Sequence, residues 1–164
     1  MTDVQTAVSS SIVVDAPIDR AFAVFTEDMG SWWPQEHRML QAQESHMVFE
    51  PKQGGRAYEV GADGTECKWA SVLVWEPPHR VVFTWEISPQ WSLETDQAKA
   101  SEVEVRFFTE TDSRTRVDVE HRHLDRHGEG WESLRDAVGS PEGWPVELRS
   151  FAQRLAESSV AKGA

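Results

Sequence analysis

Apolar and polar positions alternate most regularly in two stretches of the chain. In 100–109, Val103, Val105 and Phe107 share one face while Glu102, Glu104 and Arg106 share the other. In 115–124, Val117, Val119, His121 and His123 oppose Arg116, Asp118, Glu120 and Arg122. A period of two with one charged face predicts antiparallel strands of a sheet covered on one side. Further strands are expected over 4–14, 44–50, 56–60, 67–76 and 80–87. Gly61-Ala62-Asp63-Gly64 reads as a hairpin turn, and Pro77-Pro78 as a second reversal. Residues 88–99 form a polar loop that carries Trp91.

Helical spacing occurs near both ends. Asp15-Ala16-Pro17-Ile18-Asp19 is a helix start, because Pro loses no hydrogen bond in a first turn and carboxylates suit its positive end. Ile18, Ala21, Phe22 and Phe25 then form an apolar face, and Gly30 ends the helix. Trp32-Trp33-Pro34 opens a second short helical or irregular segment reaching about Leu40. A short helix is predicted over 131–138, stopped by Gly139 and Pro141. The longest helix is expected from Trp144 to about Ser158. Trp144, Leu148, Phe151, Ala152 and Leu155 lie on its stripe; Glu147, Arg149, Gln153, Arg154 and Glu157 lie off it.

The chain has 164 residues, enough for one domain, expected over 1–159 with a disordered tail at 160–164. No run is long and apolar enough for a membrane span, and the first residues lack a secretory pattern. The single cysteine, Cys67, fits a reducing cytoplasm. Asp and Glu number 28 against 16 Lys and Arg, a net charge of −12. That balance argues against nucleic acid and anionic membrane as partners, since phosphate recognition needs clustered cations. Eight tryptophans against one tyrosine give the chain large flat apolar surfaces.

The element order is strand, two short helices, about six more strands, then a long amphipathic helix. Within it stand Asp15-Ala16-Pro17, Phe49-Glu50-Pro51 leading to Gly54-Gly55-Arg56, and Gly64. The run Trp75-Glu76-Pro77-Pro78-His79-Arg80-Val81-Val82-Phe83-Thr84-Trp85 follows, and Gly143-Trp144 opens the last helix. In these motifs the chain resembles the START-like (SRPBCC) helix-grip superfamily. Within it, the chain is similar to the AHSA-like family, the activator of heat-shock-protein ATPase homologues. The resemblance implies an α+β helix-grip fold, with a curved antiparallel sheet of six or seven strands wrapped around the C-terminal helix. It also implies a cavity between sheet and helix that takes apolar or amphipathic small molecules. It implies no shared catalytic residue, because fold alone does not fix function.

His121 and His123, two apart on one strand, point to the same face. With His127 and Glu129 in the next loop they resemble a metal set, but without a clear third ligand the expectation is cavity-wall or core histidines and no metal or other cofactor. In Arg56-Ala57-Tyr58-Glu59-Val60, Glu59 shares a face with Ala57. If Ala57 faces the cavity so does Glu59, and Glu59 with His121 becomes an acid–base pair. Trp69, Trp75, Phe83 and Trp85 either line a pocket or pack as core. Trp32 and Trp33, with Met29, either gate the cavity mouth or anchor the segment. Phe151 of the long helix is expected to border the cavity. Cys67 lacks a base and reads as structural.

The leading function is a cytoplasmic domain binding a small apolar or amphipathic ligand, with a homodimer left open. The alternatives are a cavity enzyme of cyclase, dehydratase or hydrolase type using Glu59 and His121, and a chaperone-associated protein.

Overall fold

The computed structural model describes residues 5–39 and 45–163, without the side chains of Gln35 and 158–163. Strand β1 (Val8–Val14) leads through Pro17 into helix α1 (Ile18–Thr26). Pro17 precedes the first helical residue with an extended backbone, its carbonyl accepts from Ala21 N–H, and Asp19 occupies the first turn. The expected second short helix is instead two single 3-10 turns, Met29–Ser31 and Gln35–His37. Pro34 between them offers no backbone donor with which to continue a helix.

Six strands follow: β2 (His46–Phe49), β3 (Arg56–Val60), β4 (Glu66–Glu76), β5 (Arg80–Trp85), β6 (Ser101–Thr111) and β7 (Arg114–Arg122). With β1 they form one antiparallel sheet of seven strands in the order β1-β7-β6-β5-β4-β3-β2. β1 starts at Val8, later than expected, and residue 44 of the expected 44–50 strand lies outside the described residues. β5 stops at Trp85, after which Ile87 forms an isolated bridge with Leu93. β7 stops at Arg122, because His123 takes the left-handed conformation (φ 59°) and turns the chain into the 3-10 turn Leu124–His127. Its side chain is exposed, which corrects the expectation that His123 faces the interior.

The inner face of the sheet is dry. Val103, Val105, Phe107, Val117 and Val119 are buried there, as the alternation predicts. The outer face is held by charge: Glu104 is buried under Arg80, Arg106 and Arg122, all bonded to it. Burial works to raise the Glu104 carboxyl, and those three hydrogen bonds outweigh it, holding it at about 2.

Helices α2 (Trp131–Val138) and α3 (Trp144–Gly163) close the fold. Gly143 joins them at a close approach; a Cβ there would lie 2.2 Å from the Val138 carbonyl oxygen. Helix α3 packs against the sheet through the predicted stripe, with Trp144, Leu148, Phe151 and Leu155 buried. It runs past Ser158 to Gly163, since 158–162 contains no Gly or Pro to stop it.

Candidate functional site

Four indoles meet beneath the start of α3. Trp33 is their hub, with ring centroids 5.3 Å from Trp69, 6.1 Å from Trp144 and 6.4 Å from Trp85. Trp85 in turn lies 5.8 Å from Trp69 and 6.0 Å from Trp144. Beside them opens a recess of about 520 Å³, walled by Trp33, Trp85, Ile87 and Trp144. Trp91, Glu147, residues 36–39, the end of α2 and the turn that follows it complete its lining.

The segment 29–39 folds over the first turn of α3 and is pinned along its length. Trp32 Nε1 donates to the Val24 carbonyl at 2.9 Å, and Arg38 Nη2 donates to the Gly30 carbonyl at 2.6 Å. Met39 N–H donates to Glu59 Oε2 at 2.7 Å. This arm carries His37 onto α3, where His37 Nδ1 is hydrogen-bonded to Glu147 Oε1. Glu147 was expected off the buried stripe, yet it is 5% exposed because the arm covers a second side of the helix.

Burial pushes the Glu147 carboxyl above its ordinary value, and the hydrogen bond with His37 only partly offsets this. The same hydrogen bond raises His37 against the opposing effect of its own burial. Both shifts favour a proton held by the pair. Among the described residues, Glu147 Oε2 and Trp85 Nε1 are buried with no hydrogen-bond partner. Both belong to residues lining the recess.

His121 lies in the core behind this wall. Trp144 Nε1 donates to His121 Nδ1 at 3.2 Å. An indole can only donate, so the His121 proton sits on Nε2, which donates to Ser101 Oγ at 2.8 Å. Ser101 Oγ then donates to His127 Nε2, also at 2.8 Å. Burial, followed by the nearness of His127, lowers His121 to about 3, and burial likewise lowers His127. The expected pairing of His121 with Glu59 is therefore not how His121 is satisfied. Glu59 stands on β3, four strands from β7 in the sheet order, and anchors the arm instead.

Of the sequence-predicted ligand residues, Trp33 and Trp85 line the recess. Trp69 and Phe83 pack behind them, 5.9 Å apart edge to face. Trp32 and Phe151 lie 5.4 Å apart, each within 5.2 Å of Phe25, in solid core under the middle of α3. Trp75 is farther away, against Phe22 and Phe49. The opening thus lies at the N-terminal end of α3, because the rings of Phe25, Trp32 and Phe151 fill the space farther along. Cys67 is half-buried, and burial pushes its thiol up, against a nucleophilic role. No cluster of three or more His, Cys, Asp or Glu that could hold a metal occurs among the described residues. No helix there is long and apolar enough to cross a membrane.

Sequence reasoning missed His37, Glu147, Trp91 and Trp144 as lining residues. The available signal was Glu147 in the first turn of the helix opened by Trp144, one residue before Leu148 and one turn before Phe151.

Comparison with known proteins agrees with this architecture. The solved structure of Txn09, described as an anthrahydroquino-γ-pyrone synthase, is 38% identical, covers 93% of this chain and 99% of its own, and superposes with a TM-score of 0.65. CalC from Micromonospora echinospora, described as a self-sacrificing resistance protein, is 31% identical, with coverage of 94% and 96% and a TM-score of 0.66. Protein NE0264 from Nitrosomonas europaea, at 14% identity, coverage of 96% and 99% and a TM-score of 0.64, shares the fold. No curated protein matches the sequence. Residues 15–156 match the model of the "Activator of Hsp90 ATPase homolog 1-like protein" family, so nearly the whole helix-grip unit, from the approach to α1 into the last helix, belongs to that AHSA-like branch of the START/SRPBCC proteins.

Proposed function

We propose that the recess binds a flat hydroxyaromatic small molecule and that the Glu147–His37 pair moves a proton on it. One observation carries this reading: a buried donor, Trp85 Nε1–H, and a buried acceptor, Glu147 Oε2, belong to residues that line the same indole-walled recess and have no partners among the described residues. Buried polar groups are almost always paired, and leaving one unpaired costs about 1–3 kcal/mol. A ligand bringing one acceptor and one hydroxyl satisfies both. Indole walls favour planar rings through stacked and edge-to-face contacts.

The similarity to Txn09 supports ring closure of a polycyclic hydroxyaromatic as the reaction class. In such a step Glu147 takes the proton of a ligand hydroxyl. The freed oxygen pair forms a C–O bond to an electrophilic carbon of the same molecule, and the displaced pair moves onto the conjugated neighbour. The pair then returns the proton there, with His37 holding it meanwhile. No oxidant or reductant is consumed. This replaces Glu59 and His121 as the acid–base candidates.

Titration with 1,8-dihydroxyanthraquinone tests the reading. The expected result is saturable quenching of tryptophan fluorescence, with a red shift of the probe's visible band as its phenol gives up a proton. Glu147→Gln should keep the quenching and lose the red shift. Absence of saturable binding, or a red shift that survives Glu147→Gln, overturns it.

A further inference from the structure

Trp91 is the odd one among the tryptophans. It is 54% exposed, whereas Trp32, Trp33, Trp69, Trp85 and Trp144 are all at 5% or less. Among the described residues no ring or cation packs against it. An indole left in water forgoes apolar burial.

The loop that carries it is not loose. Ser88 N–H donates to the Ser92 carbonyl at 2.7 Å, and Trp91 N–H donates to the Ser88 carbonyl at 2.9 Å. Ser88 Oγ accepts from Gln90 N–H at 3.2 Å and Ser92 N–H at 3.3 Å, and meets Ser92 Oγ at 2.9 Å. The bridge between Ile87 and Leu93 closes the base. On its far side the loop rests on Gly130, where a Cβ would lie 3.2 Å from Pro89 Cβ and 3.4 Å from Gln90 Nε2. Within this frame Trp91 holds a left-handed backbone (φ 63°). Bulky residues rarely adopt that conformation, and such strain concentrates at binding sites. The frame thus holds a strained residue so that its indole stands on the rim of the recess, whose inner walls are Trp33, Trp85 and Trp144.

We propose that Trp91 is the outer clamp of the recess, stacking on the exposed face of a bound planar ring and so selecting aromatic over saturated ligands. The proposal rests on the recess being a ligand site and names what sets its specificity. A flat ring between Trp91 and the inner indoles has π-faces on both sides. A puckered saturated ring gains only general apolar contact there.

The test uses 2-naphthol and decahydro-2-naphthol, which share a bicyclic outline and one hydroxyl. Trp91→Ala should weaken 2-naphthol about tenfold or more and leave decahydro-2-naphthol within about twofold, while Trp91→Phe recovers most of the lost affinity. Trp91→Gly, which suits the positive φ, should give the same selectivity loss and guards against a folding artefact. Equal losses for both probes, or no loss for 2-naphthol, overturn the clamp. If 2-naphthol binds with saturable quenching of tryptophan fluorescence and ignores Trp91, the clamp falls and the site stands. If neither probe binds the parent protein, both fall.

Discussion

His37 Nδ1 and Glu147 Oε1 are hydrogen-bonded across 110 residues of sequence, joining an irregular arm to the first turn of the last helix. The contact needs the arm pinned by Arg38 and Glu59 and the helix started by Gly143, none of which belongs to the pair. It sets a buried carboxyl and an imidazole at the edge of a recess whose other walls are indoles. Its electrostatics lead to a first prediction.

Both members have folded-state pKa values raised above the ordinary 6.5 of histidine and 4.5 of glutamate. Each binds more protons folded than unfolded, so its stabilisation is complete below the ordinary value and is lost as pH rises through the folded one. Glu147→Gln removes the buried carboxyl and the largest cause of the His37 shift. The variant should therefore gain stability relative to the parent protein as pH rises above the ordinary glutamate value of 4.5 and through the raised folded values of the pair. Thermal melts across that range check it; a difference that stays flat with pH contradicts the shared-proton account.

The sheet was legible because β6 and β7 each bury one face, and alternation records that directly in Val103, Val105 and Phe107 against Glu102, Glu104 and Arg106. The stripe of α3 was legible for the same reason. Glu147 was not, because its burial comes from the arm, and the arm's 3-10 turns have no period to read. His123 was misplaced because alternation does not show where a strand ends, and one residue with positive φ took it out of register. Trp91 sat in a segment read as polar loop, where a single aromatic carries no pattern.

Phe151 provides a test of where the space lies. Its ring is fully buried between Phe25 and Trp32 and does not line the recess. Phe151→Ala should cost the packed-core value of about 3–5 kcal/mol in urea melts. Affinity for 1,8-dihydroxyanthraquinone, measured where the variant is folded, should change by less than about threefold. A small stability loss with a large affinity loss would move the cavity under the middle of α3.

Glu59 separates an anchoring role from an acid–base one. Glu59→Gln keeps a carbonyl oxygen to accept from Met39 N–H, whereas Glu59→Ala removes the acceptor. The alanine variant should lose about 1–3 kcal/mol and show faster amide exchange at Met39. The glutamine variant should keep exchange protection there and still produce the red shift with the quinone probe. If glutamine abolishes the red shift as Glu147→Gln does, Glu59 belongs to the proton chemistry after all.

His121 is the group whose titration should dominate the onset of acid unfolding. Its folded value of about 3 lies below the ordinary 6.5 because the ring is enclosed, with His127 close by. The folded state then binds fewer protons than the unfolded one throughout that window. Its contribution is complete above 6.5 and is lost as pH falls toward 3, at up to about 1.4 kcal/mol per pH unit. Glu104, held at about 2, adds its own loss below its ordinary 4.5, so the two windows are separable at their upper ends. His121→Asn supplies a shorter acceptor toward Trp144 Nε1 but cannot also reach Ser101. It should lower stability near pH 7 by about 1–3 kcal/mol. It should also flatten the dependence between 6.5 and 4.5, so that the gap to the parent protein narrows on acidification. Urea melts at half-unit pH steps read this directly. Parallel curves for parent and variant would mean that the buried imidazole is not what makes the core acid-sensitive.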